Sequence, residues 1–524
     1  MSKLHTLDWT VIAIYFGAMA YLGYYFSKKN QDTEEYFVGG RSFKGWVIGL
    51  SLVGTSISSI SFLAYPADAY KTAWIRMLPN FLMPVAAVLA VYVFIPLYRS
   101  GRKTSAYEYL GLRYGQGIRI YGTIAYILSQ FIRLGIVLFL VGNLLETMIG
   151  WDIWQCIIIA GILVAAYTIV GGISAVVWTD VVQTIVLVLG GIVVFCLVVS
   201  RIPGGIGEII STAAGDGKLS FSELKGGRLV PVGWGWAVSE KTGLMMLLLG
   251  VTWWFQEFAA DQNVVQRYCA SASDAEARKA VWWSVLSRLP IWAFFMFLGT
   301  SLYVFFIHNP SPQAAAMLDG TSKAEGILPY FVMNYLPPGV SGLIIAAAIA
   351  AAMSSLDSSM NAISAVFVTD IYRNKIRAGR DERHYLRVAK IVASCAAIVM
   401  IALAILLAYA KTKTMQDVST TLGSILGGGI LGLFFFGVFT KWGDWRAAGL
   451  GIIATVTYTV YIVLGKNELA PLPPFDLYYT AIIGNLVMFG VCGAAAVVFR
   501  RSENAPPLTN LTVWTMKREN EHKQ

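Results

Sequence analysis

Long apolar stretches separated by short polar loops follow one another along almost the whole chain. Most stretches hold about 20 residues or more, enough for a helix to cross the hydrocarbon core of a bilayer. The pattern therefore predicts an all-α polytopic membrane protein with about 13 transmembrane helices. The predicted spans are roughly 7–27, 45–70, 77–98, 119–148, 152–172, 178–200, 242–262, 281–307, 339–368, 388–410, 417–440, 446–465 and 476–499. We expect one transmembrane unit over 1–500, with core helices at about 45–440, and a cytoplasmic tail at 501–524.

Composition supports this class and predicts an orientation. Of the 524 residues, 56% are hydrophobic and 13% are charged, about half of the charged share of soluble domains. The formal net charge of +10 comes from lysines and arginines that concentrate in alternate loops. By the positive-inside rule, the N-terminus lies outside and the C-terminus lies in the cytoplasm. Because the basic residues follow topology, we expect a lipid bilayer as partner and no nucleic acid.

Two predicted spans are interrupted by glycine and hydroxyl residues. Five hydroxyl side chains fall between Thr55 and Ser61, directly after Gly54, and three glycines at 427–429 lie inside the eleventh span. Broken helices at membrane depth are tolerated only where they line a cavity or are covered by protein. Discontinuous helices in two halves of a chain are typical of inverted-repeat transporters. The pattern favours a transporter with a central site.

One alanine-rich helix carries a polar face. Ala351, Ser354, Ser355 and Ser358 fall at i, i+3, i+4 and i+7 and so share one side of a helix. Hydroxyl and carbonyl oxygens suit a hard monovalent cation. The alternative is that these serines only ease helix packing, as small residues often do in membranes. The carboxyl group of Asp357 in the same helix favours the cation site.

Several ionisable residues lie within or beside apolar spans, where a centred charge costs about 2.5–3.5 kcal/mol. Those that need a partner or a function are Arg133, Asp180, Glu257, Arg288 and Asp357. Asp180 is either an ion ligand or a cap at the N-terminus of its helix, which the helix dipole would favour. For Arg288 a structural ion pair or a snorkelling position is the favoured interpretation.

Arg133 in the fourth span admits two interpretations. Its planar guanidinium matches the two oxygens of a substrate carboxylate, a geometry at which Arg exceeds Lys. The alternative is an internal salt bridge with Glu146 or Glu257. The segment from Asp261 to Arg267 is interpreted as a gating or helix-capping element without chemistry of its own.

The chain resembles the sodium/solute symporter family over almost its whole length. The segments that carry the resemblance are Glu35 to Ser42, Gly171 to Gln183, Asp261-Gln262 with Gln266-Arg267, and Ser354 to Ser358. Ile173 is a minor departure, because the family usually has Leu, Met or Phe there. The resemblance implies a five-plus-five inverted repeat that works by alternating access.

The resemblance also implies two sodium sites. The shared site would use the backbone carbonyls of Gly54, Ile57 and Ala351 with the hydroxyls of Ser354 and Ser355.

The second sodium site would use Asp180, Ser354, Asp357 and Ser358. Asp357 stands where members with two sites usually carry Ser or Thr. A second carboxylate either strengthens sodium binding or holds a proton that titrates. Two sodium ions remain the favoured stoichiometry.

Within the family the chain is most similar to bacterial sodium/sialic acid symporters. The resemblance rests on Arg133 in its Ser-Gln-x-x-Arg context, on the hydroxyl cluster and on Asn80. The predicted substrate residues are Ser56, Ser58, Ser61, Asn80, Arg133, Phe255 and Phe258. Thr420 stands where glucose and galactose symporters have Gln, which disfavours a neutral sugar because a sugar-hydroxyl partner is lost.

The sequence therefore predicts a sodium-driven importer of a carboxylated sugar, with N-acetylneuraminate as the first candidate. Another solute (a neutral sugar, a polyol or a small carboxylate) and a non-transporting sensor stay open as alternatives. No enzyme is expected, because the four histidines lie in tails or loops and no nucleophile–base pair or phosphate loop is present. Sodium is the expected co-transported ion, with no organic cofactor. A functional monomer in a bacterial cytoplasmic membrane is expected.

Overall fold

Over the residues that the structure describes, the chain folds into a helical bundle with one short hairpin. A computed structural model describes residues 4–28, 30–225, 227–237, 240–409, 428–466, 469–471, 473–502, 505 and 507–516. The helices, numbered in chain order, are α1 (Thr6–Ser27), α2 (Thr33–Val38), α3 (Gly45–Ser56), α4 (Ser59–Lys71), α5 (Met83–Leu89), α6 (Ile95–Arg99), α7 (Tyr107–Tyr114), α8 (Gln116–Ile149), α9 (Ile153–Val199), α10 (Gly205–Gly215), α11 (Gly243–Ala260), α12 (Gln262–Ala270), α13 (Asp274–His308), α14 (Pro312–Asp319), α15 (Ile327–Tyr335), α16 (Val340–Val366), α17 (Glu382–Tyr409), α18 (Ile430–Phe439), α19 (Trp445–Lys466) and α20 (Thr480–Val498). The hairpin pairs β1 (Ser222–Lys225) antiparallel with β2 (Arg228–Pro231).

The predicted class, an all-α polytopic membrane protein, is confirmed, but the predicted count of thirteen spans is not. Over the described residues, 10 helices are long and apolar enough to cross a membrane, or up to 11 if α3 and α4 form one bent span. The 47-residue α9 contains two predicted spans, which meet at Gly172 with φ 58° and ψ −163°. Within the eleventh predicted span, the structure describes α18, while residues 417–427 lie outside the described part.

The predicted break after Gly54 is present. The helix pair α3–α4 bends by 56°, and Ile57 leaves the helical region with φ −93° and ψ 98°. A Cβ at Gly54 would lie 2.8 Å from Thr184 Oγ1, so only glycine lets α3 approach α9 this closely. The break therefore lies directly against α9.

A second break, which the sequence analysis did not predict, separates α11 from α12. Asp261 has φ −79° and ψ 119°, and its carboxylate accepts a hydrogen bond from the Asn263 N–H at 2.8 Å, which caps α12. Every residue of α12 is buried. The predicted span that ends near residue 262 is thus followed by a short buried helix.

The serine-bearing helix α16 lies at the centre of the bundle. In its most apolar window 89% of residues are buried, and it packs against α1, α3, α4, α8, α9 and α17. Alanine and serine make this possible, because small side chains let helix backbones approach in a membrane. The polar face of α16 is therefore enclosed by protein.

The described part of the predicted tail packs against the bundle. The Val513 N–H donates to the carbonyl of Val438 on α18 at 3.0 Å, and Tyr109 on α7 donates to the carbonyl of Leu511 at 3.1 Å.

Candidate functional site

The break in α3 meets the serine face of α16. Ser354 Oγ donates to the carbonyl oxygens of Gly54 at 2.8 Å and Ala351 at 3.2 Å. Ser355 Oγ donates to the carbonyl oxygen of Thr55 at 3.1 Å. Ile57 forms the break itself, and its ψ of 98° takes its carbonyl out of the helical direction. The structure thus brings the residues of the predicted shared site together, with Thr55 as an additional carbonyl beside Ser355.

Asp180 lies on α9 directly beside α3. Its Oδ2 accepts hydrogen bonds from Ser51 Oγ at 2.5 Å and Arg267 Nη2 at 2.6 Å. Both side chains of the Asp180–Arg267 ion pair are fully buried. Its Oδ1 is buried and has no hydrogen-bond partner among the described residues. The alternative role of Asp180 as a helix N-cap is wrong, because Asp180 lies inside α9, well past the break at Gly172.

Asp357 projects from α16 into a group of hydroxyls. Its Oδ2 accepts hydrogen bonds from Tyr167 at 2.7 Å and Thr179 at 3.4 Å. Its Oδ1 accepts one from Ser358 Oγ at 3.4 Å, and Arg267 Nη2 donates to the same Ser358 oxygen at 2.7 Å. Among the described residues no Lys, Arg or His nitrogen lies within 4 Å of the Asp357 carboxylate.

The charges around this second site do not cancel. With both carboxylates ionised, Asp180 and Asp357 carry two negative charges against the single positive charge of Arg267. Uncompensated charge in a low-dielectric interior is costly and is normally neutralised by pairing, by a metal ion or by protonation. The arrangement can therefore accept one monovalent cation or one proton.

Arg133 reaches the α3 break from α8. Its Nη2 donates to the carbonyl oxygen of Thr55 at 3.2 Å, and the residue is partly exposed within the bundle. No carboxylate lies within 4 Å of Arg133 in the described part of the chain. The alternative of a salt bridge with Glu146 or Glu257 is therefore wrong for this structure, since Glu257 is paired with Arg288 at 2.6 Å.

The other predicted substrate residues lie around the same break. Ser56 Oγ contacts Glu257 and Arg288, and Trp292 Nε1 donates to Ser61 Oγ at 3.3 Å. Ser58 lies within the break and is buried.

The remaining predicted substrate residues are one amide and two aromatic side chains, of which Phe255 packs its ring 5.8 Å from that of Phe435 on α18. Asn80 Nδ2 donates to the Tyr65 hydroxyl at 3.3 Å. Phe258 is buried, with its ring 5.4 Å from the guanidinium carbon of Arg288. Phe255 is half-buried. The favoured pairing of Arg288 is confirmed, whereas a snorkelling position is wrong because its side chain is fully buried.

Several residues of this centre were not predicted from the sequence. Arg267 was expected to have no chemistry of its own, yet its guanidinium contacts Asp180 and Ser358. The available signal was an arginine close to the end of an apolar span. Tyr167 and Thr179 gave no comparable signal, because hydroxyl residues are common on packed helices in membranes.

Comparisons with known proteins place the chain among sodium-coupled transporters. The family model described as the sodium:solute symporter family matches residues 36–454. The "Sodium/sialic acid symporter SiaT" of Proteus mirabilis (strain HI4320) is 32% identical over 510 residues, covering 96% of this chain and 96% of that protein. The "Sodium/sialic acid symporter NanT" of Aliivibrio fischeri (strain ATCC 700601 / ES114) is 30% identical, covering 98% and 97%.

Solved structures give the same picture. A substrate-bound, outward-open state of a Na+-coupled sialic acid symporter matches with a TM-score of 0.85 and 30% identity, covering 95% of this chain and 99% of that one. The nucleobase-cation-symport-1 family transporter Mhp1, in a closed conformation, matches with a TM-score of 0.52 and 14% identity, covering 90% and 96%. The second likeness concerns the fold alone.

Proposed function

The chain belongs to the sodium:solute symporter family, and from this premise we propose that it imports a carboxylated sugar together with sodium ions, with N-acetylneuraminate as the substrate. The observation that carries the proposal is Arg133. Its guanidinium lies beside the α3 break, the residue is partly exposed, and no carboxylate oxygen of the described residues lies within 4 Å of it. A guanidinium in this state suits the carboxylate of a substrate. The two bacterial relatives named as sodium/sialic acid symporters support this choice.

The remaining predicted substrate residues would hold the rest of the sugar. Hydroxyls and an amide suit the glycerol, N-acyl and ring oxygens, and the two phenylalanines supply apolar surface to the ring. The proposed set is Ser56, Ser58, Ser61, Asn80, Phe255 and Phe258.

The shared sodium site would use Gly54, Ile57, Ala351, Ser354 and Ser355. Support comes from the direct contacts of Ser354 Oγ with two of the three carbonyls. All of these ligands are neutral oxygens, which suit a monovalent cation. The carbonyl groups of Gly54 and Ile57 are available because α3 ends at the break, where its last carbonyls lack helical partners.

The second sodium site would use Asp180, Ser354, Asp357 and Ser358. Support comes from the free Oδ1 of Asp180 and from the uncancelled charge of the two carboxylates. Because Arg267 already contacts Asp180, the sodium ion would draw its negative charge mainly from Asp357.

The proposed setting is a bacterial cytoplasmic membrane, with the N-terminus outside and the C-terminus in the cytoplasm. The bias of lysines and arginines toward one set of loops supports this orientation. The transmembrane unit would extend over residues 1–500 and act as a monomer, because one chain carries both the substrate and the ion residues.

The test is uptake of labelled N-acetylneuraminate into proteoliposomes with and without an inward sodium gradient. We expect sodium-dependent accumulation by the wild type and a loss of at least about tenfold in Arg133→Ala, because a charge-assisted pair is worth about 1.5–3 kcal/mol. Arg228→Ala, in the exposed β2 strand, is the matched control and should transport normally.

Each other outcome points to a defined alternative. If a neutral sugar accumulates and this accumulation persists in Arg133→Ala, the proposal that the substrate carries a carboxylate is contradicted. Sodium-dependent binding without accumulation, from protein shown to be folded by thermal stabilisation, would identify a sensor instead of a transporter.

A further inference from the structure

A half-buried pair of opposite charges lies beside Ser56, and neither of its two residues has a role in the function proposed above. Glu257 on α11 and Arg288 on α13 form an ion pair at 2.6 Å between Glu257 Oε1 and Arg288 Nη1. Ser56, the last residue of α3, contacts both of them. The pair therefore borders the turn of α3 that Arg133 approaches from α8 through the carbonyl of Thr55.

The hydrogen bonds of the cluster fix what Ser56 can do. Ser56 Oγ donates its one proton to Glu257 Oε1 at 3.1 Å, and Arg288 Nη1 donates to Ser56 Oγ at 2.8 Å. A hydroxyl has one proton and two lone pairs, and a guanidinium cannot accept. Ser56 is thus left with a single lone pair, so it can only accept a hydrogen bond from a substrate.

The Arg288 side chain is enclosed by protein, whereas the Glu257 side chain is partly exposed. The Arg288 side chain is fully buried, with its guanidinium carbon 5.4 Å from the ring centres of Trp254 and Phe258. Glu257 retains 21% exposure of its side chain. The contacts to Ser56 and Arg288 both use Glu257 Oε1. The part of the pair that remains available is therefore a carboxylate oxygen.

We propose that Glu257 is a specificity-determining residue, which accepts hydrogen bonds from hydroxyl or amide N–H groups of the substrate, and that Arg288 is the residue that positions it. This inference rests on the proposed function. Two acceptors, Ser56 and Glu257, form one pole of the site, and the Arg133 guanidinium forms the other. A substrate with one carboxylate and a hydroxylated or N-acylated end satisfies both poles. A dicarboxylate is rejected, because its second acid would face Glu257 without a donor.

The test compares the response of Glu257→Gln across substrate analogues. Proteoliposome uptake of labelled N-acetylneuraminate is measured in competition with the unlabelled sugar and with an analogue whose glycerol side chain is truncated. We expect the wild type to prefer the complete sugar about tenfold or more, because a hydrogen bond to a charged group is worth about 1.5–3 kcal/mol. In Glu257→Gln we expect the KM for the complete sugar to rise about tenfold and the preference for the complete sugar over the truncated analogue to shrink. The sodium concentration for half-maximal uptake should be unchanged.

Two further variants keep the test decisive. Glu257→Gln leaves Arg288 without a full counter-charge, so Glu257→Gln/Arg288→Met keeps the cluster neutral if the single variant does not fold. Glu146→Gln, on α8, is the matched control and should keep the wild-type preference. If Glu257 had only a structural role, Glu257→Gln would lower the maximal uptake rates of the complete sugar and of the truncated analogue by the same factor.

Two outcomes overturn the inference in different ways. If the wild type accumulates N-acetylneuraminate and Glu257→Gln keeps both its KM and its preference, the inference fails and the proposed function stands. If the wild type accumulates none, the proposed function fails and the inference fails with it.

Discussion

Asp180 and Asp357 lie on neighbouring helices, but their carboxylates face different donors. Asp180 shares its charge with Arg267 at 2.6 Å, whereas the nearest donor to Asp357 is the Tyr167 hydroxyl at 2.7 Å. An ionised carboxylate that faces only hydroxyls is costly at membrane depth. Of the two, Asp357 therefore has the stronger requirement for a bound cation or a proton.

Replacing Asp357 with Ser should show whether this carboxylate binds a sodium ion or holds a proton. If Asp357 binds sodium as a carboxylate, Asp357→Ser removes a charged ligand and raises the sodium concentration for half-maximal uptake about tenfold, equivalent to about 1.4 kcal/mol. Protons compete for the same carboxylate, so the apparent sodium affinity of the wild type falls as pH falls. The variant loses the part of this pH dependence that Asp357 contributes and keeps only the part that Asp180 contributes. The measurement is sodium-activated uptake at several pH values.

The control for this prediction is Ser359→Ala on the same helix. Ser359 Oγ donates to Gln130 at 2.8 Å and belongs to neither proposed ion site, so its loss should leave sodium activation unchanged. Equal sodium half-saturation in Asp357→Ser and the wild type would remove Asp357 from the second site.

At the scale of elements, the two breaks differ in how well the sequence predicts them. The break after Gly54 carries a local signal, because glycine and clustered hydroxyls are unusual within an apolar span. The break at Asp261 has no glycine or proline, and the polar residues after it are typical of a loop. Only tertiary pairing explains why α12 is buried: Arg267 meets Asp180, which lies far away in sequence on α9.

The sequence predicts some residues of the candidate site but not their charge pairs, because the pairs also depend on tertiary packing. The serine face of α16 follows from helical spacing alone, and the structure places Ser354 and Ala351 together with Gly54. The choice of Arg288 over Arg133 as the partner of Glu257 depends on how α11 and α13 pack, which spacing along the chain does not determine. Local pattern therefore predicts which helix faces carry the site but not which charges pair across them.

The contact of α3 with α9 should be sensitive to one methyl group. In Gly54→Ala the new Cβ would lie 2.8 Å from Thr184 Oγ1 and 3.2 Å from the carbonyl oxygen of Asp180. Such overpacking costs about 1–3 kcal/mol. We expect a lower melting temperature and weaker sodium-dependent stabilisation, because α3 must move away from α9 and carry the Gly54 carbonyl with it.

Two variants test the cause of this effect. Gly17→Ala on α1 has no heavy atom within 4 Å of its new Cβ and should melt no lower than the wild type, because alanine is the better helix former. Adding Thr184→Ala to Gly54→Ala removes the 2.8 Å clash and should restore part of the sodium response. Full sodium stabilisation in Gly54→Ala alone would show that the approach of α3 to α9 does not govern the ion site.

At the scale of the whole molecule, the proposed sites predict a charge for each transport cycle. In the proposed sites the substrate carboxylate would pair with Arg133, and a cation in the second site would offset the excess charge of Asp180 and Asp357. The proposed shared site would consist of neutral oxygens, so its ligands would not offset the charge of a sodium ion bound there. Two sodium ions entering with one monoanion therefore move one net positive charge inward.

Uptake should accordingly respond to membrane voltage at a fixed sodium gradient. One charge moving through 100 mV contributes about 2.3 kcal/mol, which is about 50-fold in the accumulation ratio. The measurement is N-acetylneuraminate accumulation in proteoliposomes with potassium diffusion potentials set by valinomycin, with a voltage-independent exchange of labelled for unlabelled sugar as control. Accumulation that ignores the imposed potential would mean that one sodium ion accompanies each sugar. The uncancelled charge of the second site would then be satisfied by a proton that stays on Asp357.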